Sequence, residues 1–419
     1  MADRRLVVAV AMVVATVAQG PAGGFVYDAA RYFNGSLALF TDADPVREGD
    51  LDFRGVLTSV VHAPAALAEH LLPGAGRYAV LAVNALLVAV VGAFLLPGIA
   101  GDRAAAVWVC APLTWLVAAR FAPYPLMDLP AVAAFLTAVW LALREPVRWS
   151  LPLAGLAAGV TLNLRPAYLL PLAALGGIVA VTRRWPAAWF AAGVLAGSLP
   201  QVVFNLARGA APGLTPPGTA GLAGFQAGYA SYVVRYDTIE PAAGAPQQFY
   251  CDPSLAGAVA GHPVRSTGGL IEALATNLPG SALFLVQKVA AALAWSRSTP
   301  YSTTATAEHY ELAVPVVLIA VVGVAAACRT PGARCLAVLA AAVCGSLMTS
   351  ATETRFALPL VLLGVAGCAL LVAAPRPKPL RFAAVVLFAS AALFAAAALG
   401  VAHPLPPGPA TAAACAANG

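Results

Sequence analysis

Charge is scarce in this chain. Only 10% of its 419 residues are Asp, Glu, Lys or Arg, while 61% are apolar. Soluble domains carry about a quarter charged residues, so a soluble globular fold is excluded and a polytopic membrane protein is implied. Lysine is nearly absent: Lys288 and Lys378 stand among 24 basic residues, and the rest are arginine. That usage, with abundant Ala, Gly and Pro, is the composition of a high-GC bacterial gene. The basic residues punctuate loops instead of forming a patch, which argues against a nucleic-acid partner. There is no Walker A motif and no GxSxG, and no cytoplasmic loop is large enough to bind ATP. The seven cysteines show no CxxC or Cys/His metal spacing. Cys110, Cys344 and Cys368 lie in apolar runs and read as packing residues. Cys251 and Cys415 fall in segments assigned to the outer side, where the two could pair.

What the chain has is apolar runs. Leu6 to Val17 follows Asp3-Arg4-Arg5 and reads as a retained first helix, with a secretory signal as the alternative; both put residue 25 onward outside. Further runs cover approximately 77–96, 104–122, 128–143, 150–164, 166–182, 187–206, 311–327, 335–350, 356–374 and 382–401. The connections alternate in character. The short basic ones carry Arg103, Arg144 and Arg148, Arg183-Arg184, Arg329 and Arg334, and Arg376, Lys378 and Arg381. By the positive-inside rule these are cytoplasmic. The parity is self-consistent for about 11 transmembrane helices, with the N-terminus inside. Of the 18 acids only Asp3, Asp102 and Glu145 fall on the cytoplasmic side, so acidic chemistry belongs outside. The expected fold is therefore an all-α polytopic membrane protein, one multi-pass domain over 1–419 in the cell membrane. Two segments shape this scheme. Asn163-Leu164-Arg165-Pro166 breaks one apolar block into two helices, because Pro166 disfavours helix in the residue before it. Leu283 to Trp295 contains Gln287 and Lys288 and is predicted to lie along the outer surface as an interfacial helix.

Two substantial outer regions result, 24–76 and 207–310. The first contains an amphipathic stretch, Val56 to Leu72, expected to lie along the membrane. It also holds Tyr27-Asp28-Ala29-Ala30-Arg31-Tyr32, directly beyond the first span. A carboxylate at such a boundary can act as a general base if partial burial raises its pKa, and it can equally be a helix cap or a solvated acid. Asp128, in Met127-Asp128-Leu129-Pro130, opens a span from the outer side and reads as an N-cap or a second site acid. Arg165 and Arg355 sit at outer helix ends, suited to bidentate contacts with an anionic membrane-borne ligand or to snorkelling. The acids Asp42, Asp44, Glu48, Asp50 and Asp52 could hold a divalent cation, but the DxD signal is weak and a solvated loop is the favoured reading. His62, Glu69 and His70 are a weaker metal set.

The order of these features resembles the GT-C superfamily of integral-membrane glycosyltransferases. The resemblance rests on Asp28 and Tyr32 after the first span, an outer loop with a membrane-lying helix, and Met127-Asp128-Leu129-Pro130. It continues through Gly155…Gly159…Leu164-Arg165-Pro166 and Pro200…Asn205…Gly209, and ends with Glu353-Thr354-Arg355-Phe356-Ala357-Leu358-Pro359. It implies a mannosyltransferase- or arabinosyltransferase-like enzyme working on the extracytoplasmic face. The donor would be a polyprenyl-phosphate sugar, and the acceptor a glycan, lipid or protein. Asp28 would be the general base of an inverting transfer. Asp128, Arg165, Arg355, Glu353 and Tyr32 would contact substrate. No cofactor follows with certainty, and a divalent cation is the one candidate, weakened by the lack of an Asp-Glu pair beside Asp28. The alternative is a multi-pass transporter or flippase for an anionic lipid-linked substrate. That alternative needs charged residues at mid-membrane, and the spans are almost free of them.

Overall fold

A computed structural model describes residues 2–144, 149–239, 247–293, 300–301, 331–350, 352–373, 403–405 and 410–417. These form two units. The first comprises 1–219, 325–340 and 365–375, and the second 220–324, 341–364 and 376–419. The chain is nearly all helical. Among the described residues four helices are long and apolar enough to cross a membrane: Gly76–Ile99, Ala104–Phe121, Pro166–Arg183 and Ala187–Ala207. Shorter apolar helices cover Asp128–Leu143, Ser150–Leu164, Leu278–Ala292, Gly332–Met348 and Thr354–Leu370. The fold is thus that of a helical membrane protein. The runs expected at 311–327 and 382–401 lie outside the described residues.

In the first unit, α1 (Ala2–Val17) packs on α6 (Gly76–Val90). The polar loop between them folds into α2 (Tyr27–Leu37), α3 (Pro45–Gly49), α4 (Thr58–Val61) and α5 (Ala63–Leu71). The predicted amphipathic helix is therefore two pieces, divided at His62. Pro64 sits in the first turn of α5, where its missing N–H costs nothing, and so marks a new start. Then follow α7 (Leu96–Ile99), α8 (Ala104–Ala118), α9 (Asp128–Leu143), α10 (Ser150–Leu164), α11 (Leu169–Arg183) and α12 (Ala187–Ala207). The break expected at Pro166 is present: Arg165 is extended at φ −154°, ψ 98°, and a 3₁₀ turn over Pro166–Tyr168 leads into α11.

Four glycines set the packing of α10 against α12. A Cβ at Gly155 would lie 2.0 Å from the Phe190 carbonyl oxygen, and one at Gly159 2.4 Å from that of Val194. Gly193 and Gly197 are equally tight against the Pro152 and Leu156 carbonyls, at 2.2 and 2.3 Å. These are two small-xxx-small faces in parallel contact. This is how helices gain dispersion energy in lipid, where no hydrophobic force separates them from acyl chains. Their register brings Asn163 opposite Gln201.

Contacts at the far end of this unit tie basic loops together. Arg5 Nη2 reaches Asp102 Oδ1 at 2.8 Å, and Arg183 Nη2 donates to the Arg144 carbonyl at 2.7 Å. All four residues belong to the connections that the charge pattern placed in the cytoplasm.

The second unit holds α13 (Thr219–Ala230), strands β1 (Val233–Thr238) and β2 (Gln247–Cys251), α14 (Pro253–Ala260), α15 (Thr267–Thr276) and α16 (Leu278–Ala292). Helices α17 (Pro331–Met348) and α18 (Leu358–Ala373), strand β3 (His403–Pro404) and α19 (Ala412–Ala416) follow in the chain. The sheet is antiparallel, in the order β1-β2-β3. An all-α expectation missed it, because the Tyr-rich run 229–252 has a bulge between Val233 and Arg235 that breaks the alternation expected of a strand. Cys251 and Cys415 form a disulfide, 164 residues apart in sequence, beside the buried cluster of Tyr232, Val233, Ala256 and Leu405. Removing it with Cys415→Ser is expected to cost about 2–5 kcal/mol. A lowered unfolding midpoint in detergent would show this, and an unchanged midpoint would contradict it.

Candidate functional site

Asp28 stands in the first turn of α2. The residue before it, Tyr27, has a left-handed backbone at φ 48°. A tyrosine there is strained, on the order of 1–3 kcal/mol, and such strain collects at functional positions. The Asp28 side chain is 34% exposed. Its Oδ1 accepts a hydrogen bond from Arg54 Nη2 at 2.7 Å. The Arg54 guanidinium lies 4.4 Å from the centroid of the Tyr32 ring and 3.8 Å from Asp50 Oδ2. Burial works against its charge, but Tyr32, Asp28 and Asp50 outweigh burial, and its pKa is held above the ordinary arginine value. The sequence placed Asp28 and Tyr32 correctly in one neighbourhood but passed over Arg54. The available signal was a single arginine closing the acidic run Asp42 to Asp52.

Asp128 begins α9 and is buried, and its carboxylate pairs with Arg165 Nη1. The N-cap position itself belongs to Met127. Tyr168, buried behind the pair, packs its ring on Phe135 at 5.3 Å.

A buried row of side-chain amides links the two ion pairs. Asn163 Oδ1 accepts from the Leu57 N–H at 2.8 Å, and Gln201 Oε1 accepts from the Val56 N–H at 2.9 Å. Asn163 Nδ2 donates to Gln201 Oε1, Gln201 Nε2 to Asn205 Oδ1, and Asn205 Nδ2 to the Gly213 and Thr215 carbonyls. Asn163 is two residues from Arg165, and Leu57 three from Arg54. The Asp28–Arg54 and Asp128–Arg165 pairs therefore share one hydrogen-bonded frame. Gln201 was missed in the sequence, although a glutamine inside an apolar run is a signal in its own right.

His62 is fully buried between α4 and α5, with neither ring nitrogen in a hydrogen bond of ordinary geometry. Burial lowers its pKa from 6.5 to about 4, and the nearby Leu126 backbone opposes the shift weakly. The unfolded chain takes up this proton near pH 6.5, and the folded chain takes it up only near pH 4. The stability that His62 confers is therefore complete above pH 6.5 and is lost as the pH falls toward 4, by about 3 kcal/mol in all. Unfolding midpoints measured across this window should fall in the native protein and fall less in His62→Leu. Parallel curves would remove His62 as the cause.

The carboxylates proposed for a cation have other work. Asp44 caps α3 through the Val46 N–H, Asp50 faces Arg54, and Asp52 pairs with Arg208 at 2.9 Å. Glu69 accepts the N–H groups of Gly74 and Gly76, and His70 is exposed. Among the described residues no three His, Cys, Asp or Glu side chains gather as ligands. The donor set does not fit a metal, and no step is routed through one.

Glu353 and Arg355 lie in the second unit. They pair with each other, both nearly inaccessible, and Glu353 Oε1 also accepts from Thr238 Oγ1 at 2.8 Å. Beside them Arg235 grips Asp237 with two bonds of 2.7 and 2.8 Å. Burial pushes the Asp237 carboxyl up, and Arg235 pulls it back. Lys288 is also buried, its ammonium held by the carbonyls of Ala230, Met348 and Ser350. These carbonyls lie at or just beyond the C-terminal ends of α13 and α17, where a cation answers the helix dipoles.

Compared with protein-family models, curated proteins and solved structures, the chain gives no match.

Proposed function

We propose that this protein is a glycosyltransferase of the GT-C kind. It would move a sugar from a polyprenyl-phosphate donor to a lipid, glycan or protein acceptor at the extracytoplasmic face of the cell membrane. One observation carries the proposal: Asp28, beside a strained Tyr27, is joined through Arg54 and a frame of buried amides to a second acid–arginine pair, Asp128–Arg165. Asp28 accepts the proton of the acceptor hydroxyl as that oxygen bonds to the anomeric carbon. The bond from that carbon to the phosphate oxygen breaks, and the polyprenyl phosphate leaves with the electron pair, so the anomeric centre inverts. Arg165 answers the charge that develops on the leaving phosphate. Tyr32 and Asp128 hold these two groups in place. Glu353 and Arg355, closed on each other in the second unit, are not given a substrate contact in this reading.

The Cys251–Cys415 disulfide supports an extracytoplasmic placing of 247–260 and 403–417, because such bonds persist in oxidising compartments. Within the first unit, the contacts Arg5–Asp102 and Arg183–Arg144 join connections that the charge pattern assigns to the cytoplasmic side, which supports that assignment. The test is incubation of the purified protein with defined radiolabelled polyprenyl-phosphate sugars, followed by product analysis. Sugar transferred with inverted configuration supports the proposal. Uptake of an intact lipid-linked sugar into vesicles, with no new glycosidic bond, ends it.

A further inference from the structure

We propose that Arg54 is the positioning residue for Asp28, holding its carboxylate where it can accept the acceptor's proton. The inference rests on the glycosyl-transfer reading above. It stands on how firmly the turn around Arg54 is anchored compared with Asp28 itself.

The Asp50–Leu57 segment is held from both sides. Asp50 closes α3 in a left-handed conformation at φ 55°, and its carbonyl accepts from the N–H groups of Phe53 and Arg54. The Asp52 carbonyl accepts from the Gly218 N–H at 2.7 Å, and its carboxylate takes Arg208. Gly55 lies directly on α10, where a Cβ would sit 1.8 Å from the Asn163 carbonyl oxygen. Val56 and Leu57 are then caught by Gln201 and Asn163. The Arg54 backbone has little freedom.

Its side chain is equally defined. The guanidinium rests on the Tyr32 ring and points one nitrogen at Asp28 Oδ1. The Arg54 side chain is 18% exposed, about half the exposure of Asp28. An exposed ion pair would gain little from such an arrangement, since two flexible chains in water lose in entropy what they gain in attraction. A flat, rigid fork stacked on an aromatic ring loses far less, and holds in place the carboxylate oxygen it touches. Tyr32 thereby acts through Arg54, one turn along α2 from Asp28. A base whose oxygen drifts by an ångström from its productive position loses about 100-fold in rate.

The experiment compares wild type, Asp28→Asn, Arg54→Gln, Arg54→Lys and Tyr32→Leu in the sugar-transfer assay, with kcat and donor KM measured separately. Unfolding midpoints are recorded for each in detergent. Arg54→Gln should lower kcat by about 100-fold while donor KM stays within about threefold. Arg54→Lys, which keeps the charge and loses the fork, should recover part of that loss. Tyr32→Leu should reproduce a smaller share of it in a chain whose Arg54 is intact, which answers the case in which Arg54→Gln does not fold. A loss confined to donor KM would make Arg54 a donor-binding group and overturn the inference. An enzyme silenced by Asp28→Asn but indifferent to Arg54→Gln and Tyr32→Leu overturns the inference alone. A folded wild-type protein that transfers nothing overturns both the reading and the inference.

Discussion

Asp28→Asn is expected to yield a folded protein that no longer transfers sugar. Asparagine keeps the volume and one acceptor oxygen of aspartate, so the Arg54 contact at 2.7 Å can persist in weakened form. The side chain is a third exposed, and α2 is held by other means, chiefly Phe33 in the cluster with Ala65 and Val80. Little stability should be lost. What asparagine cannot do is take up a proton at neutral pH. Loss of a general base costs about 10²–10⁴-fold in turnover, with binding of substrate largely unchanged. The measurement is initial-rate transfer from a polyprenyl-phosphate sugar, with Asp102→Asn as comparison, since Asp102 pairs with Arg5 at the other end of the unit. Asp102→Asn should keep its rate. Turnover in Asp28→Asn within a few-fold of wild type would remove Asp28 from the chemistry.

Gly155→Val should do more, by a different route. The added Cβ would meet the Phe190 carbonyl oxygen at 2.0 Å. A backbone oxygen cannot rotate away, so α10 and α12 must separate by more than 1 Å. Overpacking of this kind costs about 3 kcal/mol where neighbours cannot yield. Separation would also pull Asn163 from Gln201 and from the Leu57 N–H, releasing the loop that carries Arg54. Folded yield after gel filtration should collapse, and any surviving protein should lack transfer. Gly177→Val, on α11, is the control, because nothing lies within 4 Å of its Cβ position. Equal yields for the two variants would show that α10 and α12 do not depend on this contact.

The residues that betrayed themselves in sequence are those governed by local rules. Pro166 broke its helix because the chain around a proline has few options. The basic connections were grouped by their charge, and within that group Arg5 meets Asp102 and Arg183 meets the Arg144 carbonyl. Asp28 and Tyr32 lie four residues apart on α2, and both meet Arg54. Arg54 and Gln201 escaped because their roles depend on distant partners: 26 residues separate Arg54 from Asp28, and 145 separate Gln201 from Val56. The acidic run, read mainly as a solvated loop, has partners that the sequence did not show. Asp50 and Asp52 looked available on paper, yet Arg54 and Arg208 had already engaged them. The sheet escaped because the bulge at Val233–Arg235 broke the alternation of its two local strands, and its third strand comes from residue 403, beyond any local window. Arg355 was read as an outward-facing cation, and only the fold showed Glu353 folded back onto it.

The Cys251–Cys415 bond also sets a timetable. Its two sulfurs leave the ribosome 164 residues apart. At about 5–20 residues per second, β2 waits roughly ten to thirty seconds for its cystine partner. During that interval Cys251 is an unpaired thiol, and the edge that β3 will cover stands open. A cell making this protein must therefore keep that half-finished sheet from pairing with the wrong thiol or the wrong strand. The supply of disulfide-forming and chaperone activity, as much as insertion of the helices, should limit how much correctly assembled protein accumulates.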